Sequence, residues 1–121
     1  MSVGVLLGVG LLGGAGAIAR LLLDGAVARR LGRAFPFGTL AVNLSGALAL
    51  SVLVGARLAE HPYAVAGTGF VGAYTTFSTW MLETHRLAED GRTRAAVANV
   101  AVSLVLGLLA AWAGRGLGRL L

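Results

Sequence analysis

Four long apolar stretches, roughly Val3 to Leu23, Pro36 to Ala56, Tyr63 to Leu82 and Ala95 to Gly114, use up most of this 121-residue chain, with only short polar connections between them. Each approaches the ~20 residues that a helix needs to cross ~30 Å of hydrocarbon. Backbone in hydrocarbon must satisfy its own hydrogen bonds, so each stretch is expected as a helix and the fold class as all-α, with four transmembrane helices in one domain. Only 12% of residues are charged against the ~25% usual in soluble domains, so no water-facing domain is left to hold a site. No basic segment precedes the first apolar run and Arg20 interrupts its far end, which reads as a retained span and not a cleaved signal peptide. The absence of cysteine excludes disulfides, thiol catalysis and thiolate metal sites.

The net charge of +5 does not point to nucleic acid, because all ten basic residues are arginines placed mostly near span ends, where they set topology and meet lipid headgroups. One side of the membrane would carry Arg29, Arg30, Arg33, Arg86, Arg92 and Arg94; the other would carry Arg57, Arg115 and Arg119. The larger group alone would place that side in the cytoplasm and both termini outside, but the opposing arginines leave a modest bias. Such a chain is able to insert both ways.

Glycine is the next signal. Its 19 residues exceed twice the ~7% usual frequency. In the first span Gly4 and Gly8, and again Gly10 and Gly14, stand four apart and are expected to form small-residue packing faces. A genome biased toward glycine, alanine and arginine codons is the competing explanation. The two prolines, Pro36 and Pro62, sit at the entrances to spans two and three, where a first-turn proline costs no hydrogen bond.

The run Tyr74-Thr75-Thr76-Phe77-Ser78-Thr79-Trp80 places hydroxyls and rings inside the third span. Hydrocarbon does not satisfy such groups, so they are expected to face protein, a cavity or a pore. Asn43 lies a similar depth inside span two with Thr39 one turn earlier, while Asn99 and Ser103 repeat the spacing in span four. A buried amide either glues helices together or donates to something passing. Gly67, Gly69 and Gly72 precede the β-branched Thr75, Thr76 and Thr79, a pattern of poor helix propensity that suggests a break exposing backbone carbonyls and N–H groups. The alternative is an intact helix whose hydroxyls bond back to the preceding turn.

Three motifs resemble one family. Gly-Ala-x-x-Arg at Gly16 to Arg20, Phe-Pro-x-Gly-Thr-Leu-x-Val-Asn at Phe35 to Asn43, and Gly-x-x-Thr-Thr-Phe-Ser-Thr at Gly72 to Thr79 occur in the order and spacing of the Fluc or CrcB fluoride channels. The resemblance covers the whole chain and implies an antiparallel, dual-topology homodimer in the inner cell membrane. Each subunit would have its third helix broken near the bilayer midplane, and the two pores would pass fluoride and reject chloride. By similarity the fluoride pore would be lined by Asn43, Phe77, Ser78, Thr79, Trp80 and Ser103, with Arg20 at the pore entrance. A structural sodium ion would lie between subunits on the backbone carbonyls of Gly72 and Thr75, oxygen donors that suit a hard cation. Trp80 departs from the family's commoner phenylalanine, adding an indole donor and bulk.

Two other classes compete. A four-span proton-coupled drug exporter needs a membrane-buried carboxylate, yet Asp24, Glu60, Glu83, Glu89 and Asp90 all fall at span ends or in loops. A non-transporting packing subunit would use Asn43 and the hydroxyl run only as helix glue. His61 and His85 are too far apart in sequence to argue a metal site, and no nucleophile–base constellation suggests an enzyme.

Overall fold

The computed structural model describes all 121 residues and contains only helices and connections. Helix α1 spans Val3–Leu31 and α2 spans Phe37–Gly55. The third apolar stretch is divided into α3 (Glu60–Tyr63), a π-helical stretch (Ala64–Val71), α4 (Gly72–Tyr74) and α5 (Phe77–Glu89). Helix α6 closes the chain at Thr93–Gly118. Three helices, α1, α2 and α6, are long and apolar enough to cross a membrane.

Helix α1 outruns its apolar stretch by two turns because Asp24 to Leu31 holds no proline and only one glycine, Gly25, among residues that tolerate a helix. Ser2 caps its start, accepting from the Val5 N–H at 3.2 Å, and Gly32 ends it at φ 76°, a left-handed conformation that a side chain would disfavour. Arg29 and Arg30 in the last turn also suit the negative end of the helix dipole.

Packing sets α2 at the centre, chiefly against α6 and also against α1, while α1 packs on the π-helical stretch and α5 on α6. The α2–α6 crossing is closed by glycine. A Cβ at Gly114 would stand 2.6 Å from the Leu48 carbonyl oxygen and 2.8 Å from Ser51 Cβ, and one at Gly55 or Gly118 would run into the facing helix backbone. Since backbone cannot swing aside, these positions hold the axes close. The α1 packing face keeps only part of the expected one: Gly8 packs against Val65, Gly10 and Gly14 meet nothing within 4 Å, and Gly13 and Gly16 face the Gly69 and Phe70 carbonyls. Four-residue spacing marks two faces of a helix equally well, and only the contacts distinguish them.

Large apolar side chains remain exposed along α1 and α6, including Leu7, Leu11, Leu108 and Trp112. For a chain of this composition that surface meets lipid or another subunit.

Close packing at Gly114 makes an opposite-sign test possible. Alanine is the better helix former by about 1 kcal/mol, so Gly116→Ala, where no atom lies within 4 Å, is expected to leave thermal unfolding in detergent unchanged or raised. Gly114→Ala is expected to destabilise by ~1–3 kcal/mol, the usual penalty for overpacking. Equal melting temperatures for the two variants would show that the α2–α6 crossing is looser than described.

Candidate functional site

Regular helix stops at Tyr74 and resumes at Phe77. Between them Thr75 (φ −82°, ψ 160°) and Thr76 (φ −148°, ψ 123°) are extended. Two threonines in this conformation leave the end of one helix and the start of another with unpaired backbone groups, which need partners.

Asn43 on α2 supplies them. Its Nδ2 donates to the Thr76 carbonyl at 2.9 Å, and its Oδ1 accepts from the Thr76 N–H, also at 2.9 Å. The side-chain amide thus pairs with one residue as a neighbouring strand would. Because Thr76 N–H is taken, the helical bond that it would make to the Gly72 carbonyl is not formed. The second Nδ2 hydrogen of Asn43 has no protein partner.

Thr76 also starts α5. Its Oγ1 accepts from the Thr79 N–H at 3.2 Å, donates to Thr79 Oγ1 at 3.1 Å, and lies 3.4 Å from Ser78 Oγ. This is an N-cap of Thr-x-x-Thr form, able to set where α5 begins. On the other side of the break, Thr75 Oγ1 bonds back to the Val71 carbonyl at 3.0 Å. Back-bonding and interruption therefore occur in adjacent residues. Thr75 is held so closely to α2 that a Cβ at Gly46 would overlap its methyl group.

Two openings meet at Thr76. A groove of about 330 Å³ is lined by Asn43, Gly46, Thr75, Thr76, Phe77 and Trp80 among others. A slot of about 60 Å³ behind it is lined by Arg20, Leu21, Asp24, Thr39, Val42, Thr76 and Thr79. Beyond the slot, Asp24 also borders a polar mouth of about 240 Å³ with Arg33, Glu83, Arg86, Asp90 and Arg92. Asp24 pairs with Arg33 at 3.5 Å, while Glu83 Oε1 is buried without a hydrogen-bond partner.

Phe77 and Trp80 stand edge to face, with ring centroids 5.7 Å apart and planes at 84°. Phe77 is 71% exposed, so most of its ring is left uncovered at the groove. The Trp80 indole N–H is not free: it donates to the Asn99 carbonyl at 3.1 Å.

The groove thus brings Asn43, Phe77 and Trp80 together, and the slot brings Arg20 and Thr79 beside them. Ser78 is exposed next to Thr76, and Gly72 begins α4 while Thr75 caps its end. Arg20 lies against the break itself, its Nη1 3.4 Å from the Thr75 carbonyl, and not among the arginines of the outer mouth. Ser103 belongs to neither opening; it sits partly exposed on α6, one turn beyond Asn99. Sequence reasoning did not single out Thr76, although it is the residue that both Asn43 and the α5 cap hold. The Thr-x-x-Thr spacing ahead of a helix was the available signal.

With this geometry in view, comparison with known proteins is informative. Residues 7–115 match the family described as CrcB-like protein, Camphor Resistance (CrcB). The chain belongs to the CrcB family. It is 57% identical over 119 residues to a protein of Mycolicibacterium paratuberculosis named fluoride-specific ion channel FluC 2, with 98% of each chain covered. A Mycobacterium bovis protein of the same name is 53% identical over 120 residues, covering 99% of this chain and 95% of its own. A Symbiobacterium thermophilum protein named fluoride-specific ion channel FluC 1 is 50% identical over 116 residues, covering 91% and 94%. The family is one of ion channels and not of enzymes.

The double contact at Asn43 changes what substitution there would do. Asn43→Leu removes both partners of Thr76 and is expected to cost ~2–4 kcal/mol, two lost bonds with the groups left unpaired. Asn43→Asp keeps an acceptor for the Thr76 N–H but sets a carboxylate oxygen against the Thr76 carbonyl, so it is expected to destabilise by a smaller amount, ~1–3 kcal/mol. Thermal unfolding together with amide exchange at Thr76 reads both effects. A Thr76 amide as protected in Asn43→Leu as in the wild type would mean that the contact does not hold the break.

Proposed function

We propose that this chain is a fluoride-selective passive anion channel that exports cytoplasmic fluoride across the inner membrane and so relieves fluoride toxicity. The observation that carries the reading is near-full-length identity, up to 57%, to relatives named fluoride-specific ion channels. The site supports it chemically. A small, strongly hydrated anion needs donors in place of water; the groove offers the uncommitted Asn43 N–H and an exposed phenyl ring, the adjoining slot the Thr79 hydroxyl, and Ser78 stands exposed beside Thr76. Ring edges carry the positive end of the aromatic quadrupole, so Phe77 and Trp80 would attract an anion edge-on. Ser103 would extend this polar track along α6, and Arg20 would add a positive charge beside Thr76 and Thr79.

The working unit in this reading is an antiparallel homodimer with two pores, its broken third helices at mid-membrane. An open groove with Phe77 left uncovered is incomplete as a pore in one subunit, and a second copy would supply the missing wall. The modest arginine asymmetry permits the opposite insertion that such a dimer needs.

The same reading includes a structural sodium ion held between subunits by the Gly72 and Thr75 carbonyls. These donors fit a hard monovalent cation: both are neutral oxygens, and Gly72 is released from its helical partner because Asn43 takes the Thr76 N–H. Bound there, the cation would neutralise the carbonyl ends that meet across the dimer axis. Arg20 already touches the Thr75 carbonyl at 3.4 Å, so that oxygen would be shared.

Ion efflux from liposomes containing only this protein is the test. Rapid fluoride loss with chloride retained is expected. Proton-dependent cation exchange would replace the channel with a carrier, and sealed vesicles without flux would leave a packing subunit. Phe77→Ile, which removes an edge interaction worth ~1 kcal/mol, is expected to slow fluoride efflux about fivefold or more without changing chloride retention. Purification with sodium replaced by a large organic cation is expected to weaken the dimer; an unaltered dimer would remove sodium from the interface.

A further inference from the structure

Asn99 is the polar side chain that this fold buries most completely, at 2% exposure, and the pore as proposed makes no use of it. It closes a ring of hydrogen bonds between α5 and α6. The Trp80 indole N–H donates to the Asn99 carbonyl at 3.1 Å, and Asn99 Nδ2 returns to the same turn of α5. There it donates to Thr84 Oγ1 at 2.8 Å, with the Trp80 carbonyl at 3.5 Å. Thr84 in turn donates its hydroxyl to the Trp80 carbonyl at 2.8 Å. The amide orientation follows from its neighbours, since the Trp80 carbonyl only accepts and the Thr84 hydroxyl hydrogen is already given to it.

We infer that Asn99 and Thr84 are positioning residues for the ring pair: they spend the Trp80 indole donor on α6 and lock the indole edge-on to Phe77, so that Trp80 serves the anion path as a ring and not as an N–H donor. The inference rests on the fluoride-channel reading and deepens it. An indole at this place has two ways of meeting an anion, through its N–H or through its C–H edge. The N–H would bind a small anion strongly and hold it, whereas conduction requires binding weak enough to release. Committing the N–H to a carbonyl removes that trap while preserving the 84° arrangement with Phe77. Asn99 contributes its backbone carbonyl directly and, through its amide, keeps the Trp80–Thr84 turn at the height where that carbonyl is reached. A hydrophobic residue at 99 would keep the backbone carbonyl but lose the amide that holds the Trp80–Thr84 turn against it.

The protein has two tryptophans, and Trp112 is 79% exposed at the far end of α6, so indole resonances of 15N-labelled protein in lipid nanodiscs are assigned with Trp112→Phe. In the otherwise unaltered chain the Trp80 indole hydrogen is expected to exchange slowly with deuterated water. Thr84→Val, equal in shape but without the hydroxyl, is expected to speed that exchange about tenfold and to slow fluoride efflux in liposomes; Thr84→Ser is expected to restore both. Asn99→Leu should behave as Thr84→Val, and where it fails to fold the threonine pair still decides. Fast indole exchange in the parent chain overturns the inference, as does exchange unaltered by Thr84→Val, or an efflux loss in Thr84→Val that Thr84→Ser does not recover. The channel reading fails separately, by absence of fluoride efflux from the unmodified protein, whatever the indole resonance shows.

Discussion

Where a helix stops inside a membrane protein, the freed backbone groups have no water to turn to, and each left alone costs several kcal/mol. In this chain the break lies at Thr75 and Thr76: Thr75 donates its N–H back to the Val71 carbonyl and accepts from Arg20, and both backbone groups of Thr76 are met by a single side chain from another helix. Asn43 is the one residue type of its size with a donor and an acceptor side by side in a plane, matching the N–H and C=O of one extended residue. Aspartate lacks the donor and leucine lacks both. The interruption, the start of α5 and the groove at Phe77 all depend on that pairing, because Thr76 is at once the residue paired by Asn43 and the cap from which α5 is built.

Such a contact requires α2 to be placed to within a fraction of an ångström, and glycine does the placing. Contacts at Gly55, Gly114 and Gly118 fix α2 on α6, and Gly46 lets Thr75 lie flat on the Asn43 face of α2. Hydrophobic burial contributes little discrimination here, since lipid is as apolar as a leucine side chain; close approach of backbones and a few buried polar bonds decide the arrangement instead. Only five apolar residues, Val42, Ala64, Val71, Leu87 and Ala96, are buried in the single subunit. A core so small leaves much of the apolar surface to be covered by lipid or by another chain.

Much of this was legible in the sequence, and the unread part has identifiable causes. Hydropathy located α2 to within a residue at each end, Pro36 to Ala56 against Phe37–Gly55, and α6 to within about one turn, Ala95 to Gly114 against Thr93–Gly118. It misjudged α1, where the polar turns from Asp24 onward remain helical until Gly32. Asn43 and the hydroxyl run stood out because polar groups in an apolar stretch need a reason. Their mutual contact did not, since a side chain pairing with backbone leaves no complementary residue to be noticed at position 76. The π-helical stretch Ala64–Val71 was also unreadable. Its wider turn is a matter of one extra residue between hydrogen-bonded partners, and no residue type marks that shift. Asn99 was visible as a polar residue in span four, but its partners Trp80 and Thr84 lie on another helix.

Charge alone explains little about how this site would favour an anion. Around the polar mouth, Asp24, Glu83 and Asp90 stand with Arg33, Arg86 and Arg92, three carboxylates against three guanidiniums, so no strong single-sign field draws anions inward. Deeper in, the slot sets Arg20 beside Asp24, again one against one. In the proposed reading, discrimination would then come from oriented donors at short range: one N–H of Asn43, the hydroxyls of Ser78 and Thr79, and ring edges. Fixed donors of this kind favour the anion that loses the most water and fits closest, because their benefit falls quickly with ionic radius while bulk attraction does not. An indole N–H left loose among them would add a further fixed donor, and in the proposed reading its attachment to Asn99 would keep the set balanced toward passage.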